Sequence, residues 1–189
     1  MTEPDLDRIR QLQEHSINWI TSLLSHIGRT YGQAAVEAAL RETGEGFLRE
    51  RRMDPLEWWA LPAETRAQAL TRSMTANGAT VEVTESAGEI TLAFRCGTGG
   101  RLIDEGRYGP DGYLVLDEPG PITFGRDSLP VYCAHCSIHN ELQPIEWSGL
   151  PMTVEDPPEG PGRPCVHHVY RTAEDIPDEV WVRLGTTRR

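Results

Sequence analysis

The spacing of apolar residues changes once along this chain, at Asn77-Gly78. Before this point, apolar residues in the segment 6–27 recur at three- and four-residue steps, and the segment 31–52 is rich in Ala, Glu, Leu and Arg. Both patterns are typical of helices. A third helix is expected from Pro62, a residue that suits a first helical position, to about Thr75. We therefore predict that residues 1–76 form a helical part.

The segments after Asn77-Gly78 have the two-residue period of strands. Residues 79–86 and 89–96 alternate apolar and polar side chains, and the "SAG" between them suits a hairpin turn. Further strands are predicted within residues 112–118, 150–154 and 165–171, followed by a short amphipathic helix within 173–185. We expect an α+β fold in a single domain, 1–189, with N-terminal helices packed on a mainly antiparallel β-sheet in a β-rich part, 79–189.

Charge and hydropathy exclude several classes of partner. The 189-residue chain has a formal net charge of −11, whereas phosphate binding requires a basic surface. An anionic membrane surface is disfavoured for the same reason, and the longest apolar runs are too short to span a bilayer. The first residues also lack the basic and apolar regions of a secretory signal. We expect a cytoplasmic protein without a nucleic-acid or membrane partner.

The four cysteines lie between residues 96 and 165, with four of the six histidines around them. Cys133 and Cys136 have the C-x-x-C spacing that lets one turn present two thiolates to a metal ion. Zinc commonly takes four ligands, and Cys96 and Cys165 are the remaining thiols. In a reducing compartment such thiols are metal ligands more often than disulfides. We predict a zinc site in this β-rich part, with iron or an iron–sulfur cluster as the alternative for the same thiolates.

The sequence leaves open whether this metal is structural or catalytic. A site closed by four thiolates holds the fold together, whereas a catalytic site keeps a position open for substrate. In the catalytic arrangement His139 or His167 is an alternate ligand. Cys165 and His167 share one side of their predicted strand, and His168 faces the other side. The candidates for proton transfer are His135, His139 and His168, with Glu141 as a general base.

Two other interpretations of the C-x-x-C pair remain. Cys133 and Cys136 would form a redox dithiol if they lay at the start of a helix that follows a strand, as in thioredoxin. No long helix is expected after this pair, so we favour a metal. Chance enrichment of small, buried residues is the remaining interpretation.

Two segments together resemble known families. The helical "YGQAAVEAALRETGEGF" precedes a sheet, and the late "GPGRPCVHHVYR" places a cysteine where a strand begins. This layout resembles the L-2-amino-thiazoline-4-carboxylic acid hydrolase-like families and the 4-vinyl reductase domain, over residues 31–50 and 133–170. The resemblance implies that the cysteines form a metal-associated region beside a small-molecule pocket. The histidines of "CAHCSIHN" depart from both patterns, so the resemblance implies no particular substrate.

Three functions are compatible with these observations. The first is a bacterial-type metabolic enzyme, a zinc-dependent hydrolase or lyase that acts on a small polar metabolite. The second is a small-molecule-binding or sensing module with a purely structural four-cysteine zinc site. The third is an accessory protein that delivers metal or electrons. The apolar first helix is compatible with a homodimer, although a helix that faces the core would have the same pattern.

Overall fold

A computed structural model describes residues 3–50 and 54–188 of the chain. The first part contains the helices α1 (Glu3–Tyr31), α2 (Gln33–Glu50), α3 (Pro55–Trp59) and α4 (Ala63–Ala76). Gly32 separates α1 from α2 with a φ of +86°, a conformation that glycine adopts readily. The helices predicted from the apolar spacing are confirmed. Residues 51 and 52 of the predicted second helix lie outside the described residues, as do residues 1, 2 and 189 of the predicted domain.

The strands of the described residues are β1 (Val81–Glu85), β2 (Glu89–Phe94), β3 (Val115–Leu116), β4 (Leu129–Pro130), β5 (Val154–Asp156) and β6 (Cys165–Tyr170). Four of them form one sheet with the order β1-β2-β6-β5, in which every neighbouring pair is antiparallel. The pair β3 and β4 is separate and also antiparallel. The predicted α+β class with an antiparallel sheet is confirmed. The last described helices are α5 (Gly99–Asp104), α6 (Ala134–Cys136), α7 (Gln143–Ser148) and α8 (Asp178–Arg183).

Residues 131–148, here called the central helical segment, are helical almost throughout. A 3-10 turn (Val131–Cys133) leads into α6, a π-helical stretch (Ser137–Leu142) and α7. The π-helical stretch has a local cause, because Pro144 has no N–H to donate to the Asn140 carbonyl. That carbonyl instead accepts the backbone N–H of Met152 at 2.7 Å. The expectation that no long helix follows the C-x-x-C pair is therefore wrong.

Two apolar cores adjoin within the fold. The larger core includes residues of α1, α2, α8 and the central helical segment, and the smaller core lies between α4 and the sheet. Helix α2 approaches the central helical segment at Gly44, where a Cβ atom would lie 2.5 Å from the His139 ring. No helix within residues 3–50 and 54–188 is long and apolar enough to cross a membrane.

A buried arginine connects α4 to the end of the sheet. Arg66 is 1% exposed, and its guanidinium donates to the Tyr170 carbonyl at 2.7 Å and to the Leu61 carbonyl at 3.2 Å. The same group lies 4.3 Å from the ring centre of Trp59 on α3. Since a buried charge is stable only when it is hydrogen-bonded, these contacts hold three elements in one arrangement.

We expect Arg66→Ala to lower the free energy of unfolding by about 3 kcal/mol, since it leaves buried carbonyls without a donor and opens a cavity. Arg72→Ala, on the exposed side of the same helix, should change it by less than about 0.5 kcal/mol. Urea denaturation followed by circular dichroism measures both. Equal effects of the two substitutions would contradict the role given to Arg66.

Candidate metal centre

The four cysteines converge where the two apolar cores adjoin. Cys133 and Cys136 belong to or pack on the larger core, whereas Cys96 and Cys165 belong to or pack on the smaller one. Cys165 is paired across the sheet with Phe94, two residues before Cys96. The thiol of Cys136 lies within electrostatic range of the other three, and none of the four is in a disulfide. Residues from three distant parts of the sequence thus lie within electrostatic range of one another, two of them buried and two half-buried.

Burial keeps the thiols of Cys133, Cys136 and Cys165 protonated when no metal is bound. Desolvation raises the pKa of Cys133 to about 12 and raises the pKa of Cys136 and Cys165 well above the ordinary value. Cys96 reaches the cluster from the end of β2, with its Sγ atom 2.9 Å from the Thr98 hydroxyl. A thiol with a raised pKa is a poor nucleophile. Cys133 and Cys136 therefore lie at the start of a helix, as the cysteines of a redox dithiol do. Their burial, however, opposes the ionisation that a reactive thiol needs.

Two histidines lie among the thiols with neutral rings. Burial lowers the pKa of His135 to about 4 and that of His167 to about 3. The His135 Nδ1 atom contacts the Tyr132 carbonyl, so this nitrogen carries the proton of the neutral ring. Its Nε2 atom then presents a lone pair, 3.4 Å from the Cys136 sulfur. An imidazole oriented by a backbone carbonyl is the usual form of a histidine next to or bound to a metal.

A carboxyl group that sequence reasoning missed, Glu155 on β5, lies against this cluster. Its side chain is 1% exposed, its Oε1 atom is 3.2 Å from His167 Nε2, and it accepts the Asn140 amide at 2.6 Å. Desolvation, followed by the neighbouring Glu141, raises the pKa of Glu155 to about 8. At neutral pH this acid and His167 are therefore both uncharged. The sequence signal for Glu155 was a charged residue directly after the apolar segment "LPMTV".

Two buried polar atoms in the cluster have no hydrogen-bond partner. They are Oε2 of Glu155 and Nδ1 of His167, and both residues are at least nine-tenths buried. Native proteins rarely leave such atoms unpaired, and a bound water or ion is one explanation for them. The donor set of four thiols and two neutral imidazoles is that of zinc or another soft-ligand metal.

The thiols are not arranged as a finished coordination sphere. Within residues 3–50 and 54–188, no group of three or more His, Cys, Asp or Glu side chains has the arrangement of a metal site. Cys96 and Cys136 are turned toward the Thr98 hydroxyl and the His135 ring. Metal binding would require these two thiols to exchange those partners for the ion.

Glu141, predicted as a general base, has a structural partner instead. Its carboxylate is fully buried and receives two hydrogen bonds from Arg183, each 2.9 Å long. It also accepts the backbone N–H of Glu155 at 2.8 Å. Burial raises the pKa of Glu141, and Arg183 opposes that shift. A carboxylate held by three donors has little capacity left to accept a proton from substrate.

His139 packs against α2, and its ring centre is 5.8 Å from that of His135. Its ring lies against Gly44, and its Nε2 atom is 3.1 Å from the Leu40 carbonyl. Burial lowers the pKa of His139. Its predicted roles, in proton transfer or as an alternate ligand, are not supported by these contacts.

His168 lies on the opposite side of β6 from Cys165 and His167, as predicted. Its Nδ1 atom is 2.9 Å from a Glu89 carboxylate oxygen, and its Nε2 atom is 3.1 Å from an Asp156 oxygen. Asp156 and Glu89 raise the pKa of His168, with the Asp156 hydrogen bond as the larger cause. The ring therefore cross-links three strands of the sheet. It is separated by the sheet from the thiols, so its predicted catalytic role there is not supported.

An open cleft of about 780 Å³ reaches toward the cluster from the surface. Rigid prolines and glycines form much of its lining, together with Tyr108, Arg126 and Ser128. Arg126 is close enough to Cys133 to favour its ionised form. The phenol oxygen of Tyr108 is buried without a hydrogen-bond partner, and its pKa is raised by burial and then by Cys133. Two residues of the lining, Tyr108 and Arg126, therefore lie within electrostatic range of Cys133.

No protein-family model, curated protein or solved structure matches this chain. The resemblance to the hydrolase-like and reductase-domain families stays a prediction from the two sequence segments.

The cross-link by His168 should make stability depend on pH. Because the folded-state pKa is raised, the stabilisation is fully present below the unfolded pKa of about 6.5 and is lost as the pH rises through the folded-state value. We expect His168→Gln to lower the free energy of unfolding by about 1 kcal/mol at pH 5.5 and by clearly less at pH 9. The effect is small because Asp156 is largely exposed and water screens its charge. Urea denaturation at both pH values measures this. His26→Gln, on the exposed side of α1, is the control and should show no such difference.

Proposed function

We propose that this protein binds one zinc ion through the thiolates of Cys96, Cys133, Cys136 and Cys165. The observation that carries the proposal is the meeting of all four cysteines of the chain in one interior cluster. They come from three distant parts of the sequence, namely Cys96, the pair Cys133 and Cys136, and Cys165. The unpaired atoms of Glu155 and His167 beside the thiols also support an additional bound group. Iron, or an iron–sulfur cluster, is the alternative for the same ligands.

The position of the cluster favours a structural role for the ion. Cys133 and Cys136 come from the central helical segment, and Cys96 and Cys165 come from the adjoining ends of β2 and β6. A metal held by these four residues would join the two apolar cores at their boundary. Zinc would also replace the thiol protons, so that buried groups that are poor acids alone become stable thiolates. The class of protein supported best is a binding or sensing module with a structural zinc.

Metal analysis of the purified protein tests this assignment. We expect about one zinc per chain, and replacing any of the four cysteines with serine should remove it. Because zinc binds only the folded state, each loss should lower the free energy of unfolding by more than about 3 kcal/mol. Cobalt substitution should give the absorption spectrum of four sulfur ligands.

The histidine variants are the matched controls for that experiment. His139→Gln and His167→Gln should keep the zinc, because imidazoles are not ligands in a four-thiolate site. Loss of zinc from either variant would instead show mixed ligation and an open position. Absence of any stoichiometric metal from the wild-type protein would contradict the proposal and return the redox dithiol to consideration. Iron and acid-labile sulfide are measured on the same samples.

A zinc-dependent hydrolase or lyase is the second candidate, and the cleft beside the cluster favours it. Zinc would supply a Lewis acid there. In that case Glu155, and not Glu141, is the group we expect to move the proton, because its Oε2 atom has no hydrogen-bond partner. Arg126 lies in the cleft and donates only a 3.3 Å bond to the Pro158 carbonyl. Its guanidinium could orient a polar metabolite in the cleft.

Replacing Glu155 separates this candidate from the structural one. The zinc-loaded protein is assayed against a panel of small esters, amides and lactones. If the site is catalytic, Glu155→Gln should lower kcat by about 100-fold while zinc content is kept. Glu159→Gln, at the exposed edge of the same cleft, should leave kcat unchanged. Equal activity of Glu155→Gln and wild type would exclude Glu155 from the reaction, and an inactive wild type would leave the structural zinc.

A further inference from the structure

Helix α1 carries an apolar stripe that faces solvent. The α1 stripe, as we call it, comprises five residues that are 40–66% exposed: Ile9, Leu12, Trp19, Ile20 and Leu23. The core of the domain is contacted by a different side of the same helix, on which Ile17, Thr21, Leu24 and Ser25 are buried. Single exposed apolar residues are ordinary, but a continuous row along one helix indicates a binding surface.

The spacing of the stripe is that of a helix pair. Ile9, Leu12, Ser16, Trp19 and Leu23 follow one another at steps of three, four, three and four residues. This is the heptad spacing of the seam between two long helices that wind around each other. A helix that binds a lipid surface instead needs basic residues beside its apolar side. The N-terminal half of α1, residues 3–14, is acidic.

The stretch of α1 from Asp7 to Leu12 is open to solvent. Every residue from Asp7 to Leu12 is exposed, and the side chain of Gln13 makes a contact with the domain, donating to the Asn77 side chain at 2.7 Å. A helical extension of a few turns is marginally stable in water without a partner. A second long helix along the stripe would cover these turns as well as the more C-terminal part.

Charge and position identify a second copy of α1 as that partner. Residues 3–14 contain four acidic residues and two arginines, whereas residues 15–31 contain no acidic residue, one arginine and two histidines. An antiparallel pair places each acidic half beside the more basic half of the other copy. The stripe is also self-complementary in this direction. With Ser16 at the twofold axis, Ile9 lies opposite Leu23 of the other copy, and Leu12 lies opposite its Ile20.

We propose that this protein is a homodimer in solution through antiparallel pairing of α1 stripes, with the twofold axis at Ser16. A twofold contact uses the same surface on both copies and forms a closed pair. Each α1 is about 43 Å long at the usual rise per residue, so two copies match in length. We expect a small interface, with a dissociation constant on the order of 10 µM. The proposal does not depend on the metal.

Sedimentation equilibrium of the full chain tests the dimer. Wild-type protein should be dimeric above the dissociation constant, and Leu12→Glu or Leu23→Glu should weaken association by at least about 100-fold, since each places two charges in the seam. Val182→Glu, at a residue that is 77% exposed on α8, is the matched control and should remain dimeric. Circular dichroism establishes that all variants are folded. A wild-type monomer at the highest soluble concentration would overturn the proposal, as would a dimer that both stripe variants preserve.

Cysteine cross-linking tests the direction of the pair. Under mild oxidation, Ser16→Cys should form a disulfide between two copies of residue 16, identified by peptide mass. Ile9→Cys should not link to itself but should link to Leu23→Cys when the two proteins are mixed. Self-linking of Ile9→Cys would overturn the antiparallel arrangement. Binding of a monomeric wild type to phosphatidylserine vesicles would show that a membrane surface, and not a second copy, covers the stripe.

Discussion

The buried ion pair between Glu141 and Arg183 is the interaction on which the interior of this protein depends. Glu141 lies in the π-helical stretch, Arg183 ends α8, and the same carboxylate accepts the backbone N–H of Glu155 on β5. Three elements are thereby joined at one carboxylate that water does not reach. Such a pair offsets the cost of burying two charges only when its geometry is good and its remaining lone pairs are satisfied. Both conditions hold here, so the position of the central helical segment against the sheet is tightly determined.

This arrangement gives two neighbouring glutamates different surroundings, although burial raises the pKa of both. Arg183 stabilises the ionised form of Glu141, and the negative charge of Glu141 then opposes ionisation of Glu155. Glu155 is therefore a neutral acid at the edge of the thiol cluster, beside a neutral His167. Two neighbouring carboxyl groups with different surroundings commonly have separate roles. In this protein Glu141, which is paired with Arg183, supports the fold. Glu155 faces the metal ion that we propose the thiols bind.

The ligand types of the candidate site were predictable, whereas its catalytic residues were not. Local spacing indicated Cys133 and Cys136, and alternation along β6 separated Cys165 and His167 from His168. The choice of His139 and Glu141 relied on closeness in sequence to the C-x-x-C pair, and their catalytic roles stay predictions. Residues three or four positions apart share a side of a helix, so His139 lies on the side of His135, where it also packs against α2. Glu141 follows Cys136 by five positions and points to another side, where it meets Arg183 of α8.

The sequence by itself determined the α+β class, the helices before the sheet, the antiparallel pairing of β1 with β2 and the alternating sides of β6. Each of these follows from short-range periodicity, which is present in any window of ten or so residues. The central helical segment also had a helical period, which was not recognised because it contains Pro144 and the cysteines. Its apolar positions are Val131, Ala134, Ile138, Leu142 and Ile145. Only the tertiary structure decided that Glu155 joins the cluster, that Arg183 neutralises Glu141, and that one side of α1 stays exposed. These outcomes depend on which surfaces of distant elements meet, and packing of the whole chain determines that.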